Sequence, residues 1–270
     1  MQIKFRNSAW ANSALSCLIN IRRSSAPIFH RKFSTLPGTV VVDPSDDNNS
    51  GAFICYIPEL IHKAQADQLF RWMKDNVAWR REVDNFGPQE RLSAYFGDNG
   101  CTFAYVGLTL YPQPWPDPIF RVRHQLESFL DIYPQLADIS CSGCLVNNYP
   151  AGEGLIPWHN DETRAHGPRP LVVSVSLCPD GERPMQLRRR QSSANSEEAQ
   201  LTVPLAHGSA LVMAGTTQET WLHRLPLPGP GAAHRIALTF RSIVPGYEDA
   251  LAAAAAADSD RRARMRDCTA

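Results

Sequence analysis

His159-Asn160-Asp161, inside "IPWHNDET", puts an imidazole and a carboxylate two positions apart. In an extended segment, side chains at i and i+2 point the same way, so both can approach one ion. On its own the pattern is equally that of a polar turn closing a strand. A third ligand changes what the pair can do. His223 lies 64 residues further on, in "TWLHRLP", behind the strand-like "SALVMAG". Two imidazoles and one carboxylate on one face of a metal leave positions open for co-substrates, as in non-haem Fe(II) oxygenases. His159, Asp161 and His223 are therefore candidate metal ligands, with a surface turn as the other reading of the His-x-Asp pair.

An iron of this kind needs a partner that binds anions. "RIALTFR" carries Arg235 and Arg241 six residues apart, hence on one side of a strand. Two inward guanidinium groups against Ile236, Leu238 and Phe240 are costly unless an anion meets them, and arginine grips carboxylates bidentately. A dicarboxylate beside iron is what 2-oxoglutarate-dependent oxygenases require. The other reading is two exposed arginines on an edge strand.

These side chains need a scaffold, and the sequence suggests one. Ala66, Leu69, Phe70, Met73 and Val77 recur at helical spacing, and a second amphipathic helix is expected from Pro118 to about Leu130. After residue 140 come the short β-rich runs "CLVNNY", "LVVSVSLC", "MQLRRR", "LTVPL", "SALVMAG" and "RIALTFRSI", separated by turn residues. That order suggests a sandwich or barrel with an α-helical layer packed outside it. "RRRQSSANSEEAQ" is a polar loop of a size that often carries function.

Composition narrows the setting. The chain has 270 residues, 43% of them hydrophobic, and equal numbers of basic and acidic residues, 27 of each. No apolar run approaches the roughly 18–20 residues that span a bilayer, so a soluble monomer with no membrane partner is expected. Residues 1–42 hold six basic and no acidic residues, with many serines, which suits an organellar transit peptide or a disordered basic tail. The mitochondrion or another organelle is the expected location, and the nucleus is the alternative. Without that segment, 21 basic residues face 27 acidic ones. Residues 43–51 read as a linker, 52–247 as the folded domain and 248–270 as an Ala-rich, then basic, tail. The seven cysteines are irregularly placed, which favours a reducing compartment over a disulfide framework. The pair Cys141 and Cys144 reads as buried structural thiols.

Five ordered segments add a resemblance: "RLSAYFGDNGCTFAYVGLTLYPQPW", "CLVNNYPAGEGLIPWHND", "LVVSVSLC", "LAHGSALVMAGTTQETWLHRLP" and "RIALTFRSI". From about Ile57 to Pro245 the chain resembles the AlkB-like Fe(II)/2-oxoglutarate-dependent dioxygenases, and most of all the eukaryotic enzymes that repair alkylated bases. The resemblance implies an α+β, mostly β fold: a double-stranded β-helix (jelly-roll, cupin-like) core with the N-terminal helices outside. It implies that His159, Asp161 and His223 hold Fe(II). It places Tyr149 and Arg235 on the distal carboxylate of 2-oxoglutarate, and Asn147 and Arg241 at its metal-proximal end. It implies consumption of O2 and 2-oxoglutarate, release of succinate, and loss of an N-methyl group as formaldehyde. The expected substrates are 1-methyladenine- and 3-methylcytosine-type lesions in single- or double-stranded DNA, with RNA as a further partner. The alternative is an oxygenase of the same fold acting on RNA alone or on a non-nucleic-acid substrate. A binding protein with a degenerate site is disfavoured, because the triad and both arginines are intact.

A base inside a duplex must be extruded before such chemistry. By resemblance Tyr105 and His159 would sandwich it, and Phe103 would line the pocket. Phe86, in "VDNFGPQER", resembles an apolar wedge on a hairpin tip; a plain loop with Phe86 tucked inward is the other reading. Arg91, with Arg80, Arg81 and Arg188–Arg190, could meet phosphates. Glu162 could read the base's exocyclic amine, although Thr163 stands where relatives carry a further acid. Ala237 replaces a common asparagine, which predicts a looser co-substrate pocket.

Overall fold

A computed structural model describes residues 38–43, 51–167, 169–190 and 200–247. In chain order the elements are β1 (Thr39–Val42), β2 (Ala52–Ile57), α1 (Lys63–Asn76), β3 (Val83–Asp84), β4 (Gly87–Pro88), β5 (Leu92–Gly97), β6 (Phe103–Tyr105), β7 (Leu108–Leu110) and α2 (Asp117–Leu130). Then follow β8 (Gly143–Tyr149), β9 (Ile156–His159), a 3-10 turn (Arg164–His166), β10 (Leu171–Leu177), β11 (Arg183–Arg189), β12 (Gln200–Leu205), β13 (Ala210–Gly215), the short α3 (Thr217–Thr220), β14 (Trp221–Leu225) and β15 (Arg235–Arg241).

The strands form a seven-stranded antiparallel sheet ordered β1-β2-β13-β10-β15-β8-β5, a four-stranded one ordered β12-β11-β14-β9, and two short hairpins, β3-β4 and β6-β7. Both faces of the large sheet are covered. One face meets the helices: Ala66, Leu69 and Met73 of α1 and Ile119, Val122 and Leu126 of α2 pack on Val173, Val175, Leu238 and Phe240. The other face meets the small sheet, where Tyr56, Val172 and Met213 pack against Met185, Leu187 and Val203. This is the jelly-roll sandwich with helices outside that the sequence predicts. Double coverage explains the burial of its central strands: β8 and β10 are buried at every position, so their polar residues, Asn147 and Asn148 in one and Ser174 and Ser176 in the other, must find partners inside the protein.

Three details differ from the sequence reading. Strands do not wait for residue 140, since β1 and β2 precede α1, and β3 to β7 lie between the helices. The large sheet begins inside the expected tail, because Thr39–Val42 pairs with β2. Ile236, Leu238 and Phe240 do not surround the arginines. Alternation sends them to the helix-covered core, while Arg235, Ala237, Thr239 and Arg241 line the inter-sheet cavity. The loop 191–199, most of the 43–51 linker and the 248–270 tail lie outside the described residues. No described helix is long and apolar enough to cross a membrane. Cys141 and Cys144 are buried and unbonded, and burial pushes both thiols up.

Candidate active site

The register of the small sheet builds half of the site. β14 pairs with β9 so that His223 lies directly opposite His159, with ring centroids 4.2 Å apart. Asp161 follows just beyond β9. Its Oδ1 lies 3.7 Å from His159 Nε2 and 3.8 Å from His223 Nε2. All three ligand atoms fall within 4.8 Å of one another, a span that metal–ligand bonds of about 2 Å can bridge. His159 Nδ1 faces the Pro157 carbonyl oxygen at 2.9 Å. A carbonyl can only accept, so Nδ1 carries the proton and Nε2 keeps its lone pair for a metal. Burial pushes His223 down to about 3, with His159 and Arg241 acting in the same direction. It is therefore neutral at physiological pH, as a ligand must be.

Arg241 sets the charge of the third ligand. Its Nε and Nη2 donate to Asp161 Oδ2 at 3.1 and 2.7 Å. Burial alone would raise the Asp161 carboxyl. The Arg241 guanidinium, helped by the two imidazoles, outweighs that and holds it below the usual carboxylate range. One oxygen is thus engaged by arginine, and the other faces the histidines. The Arg241 guanidinium also lies 4.4 Å over the Phe103 ring. Gln218 of α3 accepts the Asp161 backbone N–H at 2.9 Å and is buried.

Arg235 is 1% exposed. Its side chain runs back along the sheet, donating to Ser176 Oγ at 3.0 Å and Ser174 Oγ at 3.2 Å. Ser174 pairs with Thr239, so the guanidinium reaches toward the Arg241 end of β15 and away from its own Cα. Tyr149 pairs with Arg235 across β8, its ring 5.6 Å from the guanidinium carbon. No carboxylate reaches Arg235 among the described residues, and burial lowers its pKa. A buried cation held only by hydroxyls and a ring calls for an anion. Asn147 Oδ1 is taken by Ser93 Oγ at 2.9 Å and by Arg91 Nε at 3.1 Å, which leaves its amide nitrogen as the group to offer a ligand.

These groups line one cavity of about 560 Å³, within the usual range for small-molecule sites. Phe103, Tyr105, Glu162 and Arg91 line it too. Phe103 is buried and stacks on Tyr105 with centroids 5.2 Å apart. Phe86 is 91% exposed in the turn between β3 and β4.

A model of the 2OG-Fe(II) oxygenase superfamily matches residues 53–241, a segment that holds the triad and both arginines. The chain belongs to that superfamily. This oxygenase is 32% identical over 202 residues to the human protein named DNA oxidative demethylase ALKBH2, covering 70% of this chain and 73% of that protein. It is 27% identical over 248 residues to the Arabidopsis thaliana protein of the same name, covering 79% and 76%. The bovine alpha-ketoglutarate-dependent dioxygenase alkB homolog 3 matches at 26% over 201 residues, covering 71% and 66%. As a member of the superfamily the protein is an Fe(II)- and 2-oxoglutarate-dependent dioxygenase, and its donor set fits both groups. The facial His-Asp-His triad suits Fe(II), and the anion-seeking Arg235 suits the carboxylate of 2-oxoglutarate.

The geometry sharpens several sequence expectations for this oxygenase. Arg241 meets Asp161 directly, so its first contact is the metal ligand. Arg91 donates Nε to Asn147 Oδ1, is half-buried and lines the cavity. Arg81 donates to the Gln89 carbonyl at 2.6 Å. Arg188 of β11 and Arg224 of β14 lie over the ring of Trp158, the residue before His159 on β9, at 4.5 and 4.6 Å. Ala237 packs with Tyr149 and Leu225 and lines the cavity. Sequence reasoning missed Gln218, Gln89 and Arg183. Arg183 is buried, donates to the carbonyls of Glu153 and Gly154 at 2.8 and 2.6 Å, and lies 5.5 Å from the Tyr149 ring. It also missed His166, which is buried within electrostatic reach of Arg241 and Asp161 and which burial pushes down to about 4. His166 therefore adds no positive charge beside Arg241.

Proposed function

We propose that this oxygenase is an oxidative demethylase of alkylated bases, acting on 1-methyladenine- and 3-methylcytosine-type lesions in DNA, with RNA as a further substrate, and that it works as a monomer. One observation carries the reading. A nearly bare phenylalanine stands on a hairpin tip beside the iron cavity, whose mouth is walled by Tyr105. Leaving a phenylalanine in water forgoes about 1.5–3 kcal/mol of burial, so the tip suits insertion between bases. The printed names of the relatives, DNA oxidative demethylase among them, support the same substrate class. The basic, acid-free residues 1–42 support an organellar address, with the mitochondrion first and the nucleus as alternative.

The residues divide the work. His159, Asp161 and His223 would hold Fe(II). Arg235 and Tyr149 would take the distal carboxylate of 2-oxoglutarate, and the Asn147 amide its near end. When bound, iron, O2 and 2-oxoglutarate supply the oxidation that turns an N-methyl C–H into C–OH, with succinate and CO2 as co-products; the N–CH2OH product then loses formaldehyde. Arg241 fixes the Asp161 carboxylate and keeps it ionised. Tyr105 offers an aromatic face for the extruded base, and Glu162 a carboxylate for its exocyclic amine. Phe86 fills the gap that the base leaves.

Mass spectrometry of matched single- and double-stranded DNA and RNA carrying 1-methyladenine or 3-methylcytosine tests this. Loss of the methyl group is expected with the native protein and abolished in Asp161→Ala. Phe86→Ala should cut turnover on duplex more than on single strands. Steady succinate formation with every methylated oligonucleotide left intact would sink the reading.

A further inference from the structure

Two hairpins stand side by side at the cavity mouth, and one glutamine ties them together. The β3–β4 hairpin carries Phe86 in its turn, and the β6–β7 hairpin carries Tyr105 at the end of β6. Gln89, just after β4, is 5% exposed. Its amide nitrogen donates to Asp84 Oδ2 at 2.9 Å and to the Tyr105 hydroxyl at 3.2 Å. Asp84 accepts the backbone N–H of Phe86 on its other oxygen at 2.8 Å. A chain of three hydrogen bonds therefore joins the backbone of the wedge to the phenol of the base wall. An amide has two N–H groups, and Gln89 sends one to each hairpin.

The backbones interlock as well. Asn85 N–H donates to the Val106 carbonyl at 3.1 Å. Gly107, at φ 79°, lies under the Asn85 side chain, where any Cβ would collide with it. Val106 is held at φ 48°, a conformation that is rare for a β-branched residue and is sustained only by its surroundings. A hairpin of two-residue strands is too short to hold its own shape. Its geometry is imposed by Arg81, which donates to the Gln89 carbonyl, and by the Gln89 side chain.

We infer that Gln89 is a positioning residue that couples insertion of Phe86 into a duplex to the placement of Tyr105 against the extruded base. The inference rests on the nucleic-acid reading above. On duplex, the wedge and the wall must move as one body, because the base leaves the stack only while its gap is filled. On a single strand no gap is filled, and the bridge has nothing to transmit. The ratio of duplex to single-strand turnover is thus the quantity that Gln89 controls. Mere stiffening of the cavity mouth would affect both substrates alike.

The test measures that ratio on matched 3-methylcytosine oligonucleotides for the native protein, Gln89→Leu, Tyr105→Phe and the double variant. Gln89→Leu should lower the ratio about fivefold, the worth of one hydrogen bond. The double variant should fall no further than the larger single effect, since both changes break the same bond. Asp84→Asn keeps an acceptor for Phe86 N–H, and a flipped Gln89 amide can then accept from the Asn NH2 and from the Tyr105 hydroxyl, so it should restore much of what Asp84→Ala loses. Equal loss on both substrates, or fully additive effects on the ratio, would overturn the coupling. If Gln89→Leu loses its melting transition, Tyr105→Phe decides alone: it keeps the ring and must still lower the ratio. Phe86→Ala separates the two levels. If it leaves the ratio unchanged, the wedge reading fails and takes the coupling with it. If it lowers the ratio while Gln89→Leu does not, only the coupling is lost.

Discussion

Asp161 shows how one carboxylate serves two masters. Oδ2 belongs to Arg241 and Oδ1 faces His159 and His223, so the arginine orients the ligand and keeps it ionised. Lysine cannot copy this. It is a point charge on a flexible stem, unable to send Nε and Nη2 to one oxygen or to stack flat on Phe103. Arg241→Lys should therefore weaken metal binding about 10- to 100-fold, the usual scale for losing such a supporting contact. Calorimetric titration with Mn(II) as a redox-silent stand-in measures it, and native affinity in the variant would contradict the assignment. The ligands and Arg241 were legible because each is a strong residue type in a motif of known order. Gln218 and Gln89 were not. Their partners, Asp161 and Tyr105, lie 57 and 16 residues away, and a glutamine in isolation announces no partner.

Elements were legible where local pattern and tertiary role agree. Both helices carry apolar residues at helical spacing because they cover one face of the sheet, and the runs at β10 and β15 are rich in β-branched or aromatic residues. β2, "AFICYI", is buried at all six positions. Like β8 and β10 it has no alternation, but it stands ahead of α1, apart from the succession of strands after residue 140 that made those two legible. β1 was hidden for a different reason: it follows a basic, acid-free stretch and looks like its end. Its pairing with β2 constrains any processing of that stretch, because cleavage past Thr39 would strip a strand from the sheet. Residues 1–37 fused to a reporter should be imported into mitochondria. A chain starting at Gly38 should melt with the full-length protein. A chain starting at Asp43 also loses Val42, which is 5% exposed and worth about 1.5–3 kcal/mol. At about 2–4 °C per kcal/mol for a domain of this size, its melting temperature should fall by roughly 3–12 °C. A reporter left in the cytosol would reject the organellar address, and equal melting of all three chains would reject a structural role for β1.

Across the whole molecule, the site is a seam between two sheets. His159 and His223 come from the small sheet and Arg235, Arg241 and Tyr149 from the large one, with Asp161 tied to Arg241 between them. Iron and 2-oxoglutarate would therefore clamp the sandwich, and their binding should appear as global stability. At a 2-oxoglutarate concentration 100 times its dissociation constant the gain is about 2.7 kcal/mol, or roughly 5–10 °C in melting temperature. Arg235 makes the sign of the effect diagnostic. Without an anion it is a buried cation that meets hydroxyls and a tyrosine ring, and replacing such a charge by an apolar chain is often neutral or stabilising. Arg235→Met should thus melt no lower than the native protein when both are free of ligand. It should keep the increment given by Mn(II), because the triad is untouched, and lose the increment given by 2-oxoglutarate. The two proteins should then exchange order as the co-substrate is added. A variant that still gains the full 2-oxoglutarate increment would show that the dicarboxylate is held elsewhere along the seam.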